Sequence, residues 1–245
     1  MKRGRISRLP VLVCLLFSNA SSIQAGPLIP SFEASYRIER SIFDIGRIQL
    51  QFYLSPADNY VYNSITEVAG FIAWFRDDRV EETSRGRMDA SGIYPDHYRF
   101  ERIGGKGDKR AEVRFDWKTG QVENTIDGES WKMAIPQDTL DKLNVQIAMM
   151  RKLQGSVEDQ HFRVADGGKL KDFRIHLRRR ETLEVPAGNF ETIKVEKTPE
   201  YGSRKTYLWL APGLGYLPVQ IMRIEEDGAR YYSVLESVSD SLRVK

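Results

Sequence analysis

Strict alternation of apolar and polar residues, recurring along most of the chain, is the feature that most restricts its fold. From Gly46 onward Ile48, Leu50, Phe52 and Leu54 alternate with Arg47, Gln49, Gln51 and Tyr53. An earlier segment sets Phe32, Ala34, Tyr36 and Ile38 against Glu33, Ser35, Arg37 and Glu39. A period of two with one apolar face is what a half-buried antiparallel strand requires, because successive side chains point to opposite faces of a sheet. The pattern returns through Tyr98 and Phe100, through Ala111, Val113, Phe115 and Trp117, through Phe173, Ile175 and Leu177, and around Ile193 and Val195. Between these segments fall Lys118-Thr119-Gly120, Asp127-Gly128, Ala187-Gly188-Asn189 and Asp227-Gly228, where glycine supplies the positive φ of hairpin turns. Roughly ten to twelve strands joined mainly by hairpins predict a mostly β chain, built as a single strongly curved antiparallel sheet or half-open β-barrel.

One packed α-helix interrupts this pattern. Asp138 is placed to cap it after Pro136, and Asp141 adds negative charge to its first turn. Leu140, Leu143, Ile147, Met150 and Leu153 then recur at helical spacing up to Gly155, which predicts a helix over 138–154. Its apolar stripe needs a partner, most simply the concave face or open end of the sheet.

The first residues carry Lys2, Arg3, Arg5 and Arg8, then an apolar run from Leu9 to Phe17, then a small and polar stretch from Ser18 to Ala25. That order predicts a signal peptide over 1–25, cleaved after Ala25, and hence a periplasmic protein. The apolar run falls short of the roughly 20 residues that a membrane-spanning helix needs. Cys14, the only cysteine, lies inside it, so residues 26–245 offer no disulfide, thiol nucleophile or thiolate metal site. Removing four basic and no acidic residues leaves 33 Lys and Arg against 34 Asp and Glu. A chain so near neutrality has no bulk attraction for nucleic acid or anionic lipid. No Pro/Gly/Ser-rich linker divides residues 26–245, which are read as a single β-rich domain.

Chemistry-bearing patterns are sparse. His97, His161 and His176 have no second ligand at helical metal-binding spacing, and alternation puts His176 between Arg174 and Arg178 on a solvated strand face. No G-x-S-x-G elbow occurs, and adjacent carboxylates such as Glu81-Glu82 point to opposite faces of a strand. Gly104-Gly105-Lys106-Gly107 lacks the strand-to-helix setting of a phosphate loop and reads as a hairpin tip. No catalytic residue, metal ligand or cofactor is therefore assigned. The apolar excess is more informative. Phe71, Ile72, Trp74 and Phe75 sit in a short irregular segment, where they line a cavity mouth, form a lid, or plug the barrel. Trp209 is read as a core residue or a cavity wall, and with those four it makes up the candidate ligand-binding set.

Phe32-x-Ala34-x-Tyr36, Gly92-Ile93-Tyr94-Pro95, Asp116-Trp117 with Gly120, Gly188-x-Phe190-x-Thr192, and Trp209-Leu210-Ala211-Pro212 running to Leu217-Pro218-Val219 carry a family resemblance. On them the chain resembles the exported bacterial proteins grouped as domain of unknown function 3108, over nearly its whole length after residue 25. The resemblance implies an envelope location and a curved β architecture with a helix, in outline similar to the open barrels of lipoprotein carriers, and it implies no catalytic residues. The leading expectation is an envelope protein that binds an apolar or amphipathic ligand, a lipid or glycolipid, in the concave sheet face beneath the helix and the 69–75 loop. The alternatives are a scaffold with an envelope protein partner, and an envelope hydrolase whose site forms only on folding.

Overall fold

The computed structural model describes residues 29–70, 78–105, 107–199 and 205–243. Residues 1–28, which include the expected targeting segment, and residues 71–77, with Phe71, Ile72, Trp74 and Phe75, lie outside the described residues.

Among these residues one sheet contains fifteen strands. In chain order they are β1 (Phe32–Arg40), β2 (Phe43–Leu54), β3 (Asn59–Val68), β4 (Arg79–Met88), β5 (Ile93–Ile103), β6 (Lys109–Asp116), β7 (Gln121–Ile126), β8 (Glu129–Ala134), β9 (Thr139–Asp141), β10 (Gln160–Asp166), β11 (Lys169–Val185), β12 (Gly188–Pro199), β13 (Lys205–Ala211), β14 (Leu217–Ile224) and β15 (Arg230–Val238). The spatial order runs β8-β7-β6-β5-β4-β3-β2-β1-β15-β14-β13-β12-β11-β10-β9, so the chain climbs one half of the sheet, and the other half returns from the far edge to β1. Every pairing is antiparallel except β9 with β10.

The count exceeds the ten to twelve strands expected, for a physical reason. β4 turns Glu82, Ser84, Gly86 and Met88 to one face, so apolar alternation does not mark it, and β8 is exposed at almost every position. The sequence also places the helix too early. The segment 139–141 pairs as β9 beside β10, and the single α-helix among the described residues, α1, spans Asn144–Gly155. Asp138 therefore does not cap it. Asp141 does that work instead: its Oδ1 accepts the backbone N–H groups of Leu143 and Asn144, each at 2.9 Å.

The helix lies in the concavity. Asn144, Val145, Ile147, Ala148, Met149, Met150, Arg151 and Leu153 are all buried, which is most of its circumference rather than one stripe. They share a core with Phe32, Tyr36, Phe52 and Tyr62 from one half of the sheet and Val195, Leu210, Val219 and Leu235 from the other. A second, smaller cluster joins Tyr98, Val113 and Val122 to Ile135 and Ala165. Since Phe162 and Val164 face the main core and Ala165 faces this second one, both sides of β10 are covered. The β5–β8 wing thus overlaps the opposite edge of the sheet and forms a seam. At the seam Gly168, with φ +73°, abuts the Trp131 ring, which a Cβ at that position would meet at 2.0 Å.

β4 and β5 share an irregular register between Arg85 and Gly86, and there a Cβ on Gly86 would lie 2.2 Å from the Tyr94 carbonyl oxygen and 2.8 Å from Pro95 Cα. Both obstacles are backbone, so relief requires moving a paired strand. Gly86→Ala is expected to lower unfolding free energy by about 1–3 kcal/mol. Gly213→Ala, where a Cβ meets nothing within 4 Å, is expected to change it little. Urea unfolding of both variants checks this; equal effects would contradict the packing at Gly86.

Candidate functional site

A cavity of about 550 Å³ opens between the β4–β5 turn, the C-terminal half of α1, and the starts of β9 and β10. Its apolar wall comes from Ile93, Leu140, Ala148 and Phe162, all buried. Its polar wall includes the cations Arg151, Lys152 and Arg163, with His161, Ser91, Tyr94, Gln137 and Asp138.

The partners of these basic side chains divide them into two kinds. Arg163 pairs with Asp138 (3.1 Å) and Asp172 (3.5 Å), and His161 with Asp172 (2.8 Å). Arg151 and Lys152 make no ion pair with a carboxylate among the described residues. The Arg151 side chain is buried, and its Nη1 and Nη2 donate to the carbonyls of Gly92 (3.0 Å) and Ala90 (2.9 Å). Burial lowers the pKa of this guanidinium, which stays charged. Lys152 stands at the rim, its Nζ donating to the His161 carbonyl (3.2 Å) and lying 4.7 Å from the Phe162 ring centroid. A buried cation whose contacts are carbonyl dipoles gains from an incoming anion, because its water has already been removed.

What positions Arg151 is the seating of α1. Inside the concavity the Asn144 amide nitrogen, with two N–H groups to share, lies within hydrogen-bond distance of Tyr60 Oη (2.6 Å), Ser84 Oγ (2.9 Å) and Asp141 Oδ2 (2.8 Å), and Ser84 Oγ donates to Asp141 Oδ2 (2.5 Å). This buried network fastens the start of α1 to β3 and β4. At its other end Gln154 Nε2 donates to the Gly215 carbonyl (3.3 Å). Held at both ends, the helix presents Arg151 and Lys152 at a fixed height. Burial pushes the Asp141 carboxyl up to about 6, although Ser84 and the N–H groups of Asn144 and Leu143 pull it down.

The structure places Trp209 away from this cavity. It pairs in register with Lys194 on the face opposite Leu208 and Leu210; its indole N–H donates to Glu181 (2.7 Å), and Lys194 Nζ lies 4.5 Å from its ring centroid. The three histidines are apart, each bonded to its own carboxylate: His97 to Glu112, His161 to Asp172, His176 to Asp159. Among the described residues no group of three or more His, Cys, Asp or Glu side chains could hold a metal ion. The Ser84–Asp141 pair is fully buried and has no histidine partner, so it fastens the helix rather than presenting a nucleophile. Sequence reading missed Arg151 because a single arginine in an amphipathic helix reads as part of its solvated face. Its one visible signal was position: Arg151 directly follows Met150 of the apolar stripe.

A family model described as "Protein of unknown function (DUF3108)" matches residues 31–234. No curated protein matches in sequence. Among solved structures, the chain is similar to a β-barrel-like protein of domain of unknown function DUF1849 from Brucella abortus, at TM-score 0.57 and 10% identity, covering 86% of this chain and 98% of that one. That likeness shows the fold. A candidate lipoprotein from Parabacteroides distasonis matches at TM-score 0.35 and 10% identity, with 88% and 98% covered. A candidate exported protein with a YmcC-like fold from Bacteroides fragilis matches at TM-score 0.35 and 12% identity, with 88% and 99% covered.

The Asp141 shift carries a pH dependence. Its folded pKa is raised from 3.8 to about 6, so the native state keeps a proton that the unfolded chain releases. The contribution to stability is full below pH 3.8 and is lost as pH rises through about 6, a change of roughly 3 kcal/mol. Asp141→Asn removes that titration. The stability gap between variant and wild type, followed by urea unfolding from pH 4 to 7, is expected to narrow as pH rises. A gap that stays constant would place the Asp141 carboxyl at its ordinary value.

Proposed function

The chain belongs to this family of proteins of unknown function, a description that assigns no reaction, and we propose its role from the cavity itself: a non-catalytic binding protein that holds one small anionic amphiphile. The observation that carries this reading is the buried Arg151 guanidinium, which faces the cavity with no carboxylate partner among the described residues. Ile93, Leu140, Ala148 and Phe162 offer an apolar wall for a chain or ring, and Arg151 with Lys152 offers the counter-charge for its head. A volume of about 550 Å³ falls within the range of small-molecule sites and suits a single-chain lipid or a glycolipid fragment better than a complete diacyl lipid. The basic, apolar and small-residue order of residues 1–25 supports an envelope location, and the continuity of the sheet supports one domain after it.

Native mass spectrometry of detergent-free protein, with laurate and 1-dodecanol as probes, tests this. Laurate is expected to bind more tightly than the alcohol of equal chain length. Arg151→Met is expected to weaken laurate by about ten- to a hundredfold, the loss of one charge-assisted contact, and to leave dodecanol nearly unchanged. Lys152→Met, at the rim and outside the turn that Arg151 supports, is expected to move laurate in the same direction. Equal affinity for the two probes, or no binding of either, would overturn the proposal.

A further inference from the structure

The end of the barrel opposite the first cavity carries three polar side chains in one row. Lys197 of β12 stands directly opposite Thr206 of β13, which stands directly opposite Arg223 of β14. Partners in register turn their side chains to the same face, and Ile193 and Val195, both buried in the main core, show that on β12 this is the concave face. Adjacent strands lie about 4.8 Å apart, so Lys197 and Arg223 flank Thr206 across about 10 Å, a gap that two long side chains can close. The row is accessible: Lys197 and Thr206 are half-buried, and Arg223 is exposed.

The fold does not use these three groups. Among the described residues the side chains of Lys197, Thr206 and Arg223 make no hydrogen bond or ion pair, and Lys197 Nζ lies 4.0 Å from the Phe173 ring centroid. The partner of Lys197 on β11, Ile175, is apolar. The other charges that bear on Lys197 are Lys142 and Asp166, both in the wall of a second cavity, of about 220 Å³, on the seam. Lys142 pairs with Glu82 (3.3 Å), and Asp166 accepts from Lys171 (2.6 Å). Burial first, and then Arg223 and Lys142, lower the Lys197 amine to about 8. Two cations therefore repel each other across a hydroxyl, and the row holds no charge that opposes them.

We propose that Lys197, Thr206 and Arg223 form a second binding site, for a phosphate dianion, either free or as the head of a phosphomonoester. An anion placed over Thr206 receives an ammonium from one side, a guanidinium fork from the other and a hydroxyl from the sheet, three donors for three oxygens. Its two negative charges match the two cations. A carboxylate, with two oxygens and one charge, leaves a donor and a charge unmet. The site shares no residue with the Arg151 cavity, so the two readings stand or fall separately.

Isothermal titration calorimetry with inorganic phosphate and with dodecyl phosphate tests this, in protein that carries Arg151→Met and so lacks the anchor of the first cavity. Lys197→Met and Arg223→Met are each expected to weaken binding by about ten- to a hundredfold, and Thr206→Val by about two- to tenfold. With Lys197 present, affinity is expected to fall by up to about tenfold per pH unit above about pH 8, as the amine loses its proton; Lys197→Arg is expected to keep the binding and remove that dependence. Comparable affinity for the two probes marks a free phosphate ligand, and a preference for dodecyl phosphate marks a lipid headgroup; in both cases the site stands. No binding of either probe at millimolar concentration, or binding that Lys197→Met and Arg223→Met leave unchanged, would overturn the proposal.

Discussion

The four-residue link between the two edges of the sheet is the constraint from which the rest of the structure follows. β8 and β9 stand at opposite ends of the strand order, yet only residues 135–138 separate them. Laid flat, fifteen strands at the usual spacing would put those edges about 67 Å apart. A link from Ala134 to Thr139 reaches at most about 17 Å. The sheet must therefore roll until its edges meet, and the twist of antiparallel strands supplies the direction in which it does so. Because β9 pairs with β10 and not with β8, the edges overlap instead of joining in a continuous ladder. The overlap creates a seam with two layers of sheet, and both cavities lie on it.

Rolling also dictates what fills the interior. The concave face of β1–β4 and β11–β15 would leave a large void, and the chain that crosses from β9 to β10 is the piece available to occupy it. That piece is α1. A helix resting on a flat sheet needs one apolar stripe, whereas a helix enclosed by a rolled sheet buries nearly every side. Asn144 and Arg151 are anchored there by hydrogen bonds within the fold, the amide nitrogen of the first by Tyr60, Ser84 and Asp141, the guanidinium of the second by two turn carbonyls.

How far the sequence reveals this depends on which face a residue turns inward. Phe32, Ala34, Tyr36, Leu50 and Phe52 are inward and apolar, so alternation alone finds β1 and β2, and the same holds for the Phe173–Leu177 part of β11. Glu82 and Ser84 are inward and polar, so β4 is invisible to that test. Asp141 looks like a first-turn residue of a helix because its negative charge suits either position; only pairing with Ala165 shows that it ends a strand. Trp209 stands in a run, Leu208-Trp209-Leu210, that is apolar on both faces, so periodicity cannot say which way it points. The register with Lys194 does. The seam itself joins residues of β5–β8 to Ala165 and Gly168, a pairing of distant segments that leaves no local trace.

Three inward polar side chains now fall in an order set by how completely the protein meets their hydrogen bonds. Asp141 accepts four, and its carboxyl has no exposure; its role ends inside the fold. Arg151 has five N–H donors, two of them on carbonyls, and lines the cavity with no carboxylate at ion-pair distance among the described residues. Asn124 has neither end met. Burial without satisfaction is costly, so a fold shaped only for stability would carry apolar residues at such positions, as β7 does at Val122 and Ile126. Asp141, at the root of the helix, serves the closure of the barrel, and Arg151, at the cavity, is what the fold can offer to a ligand.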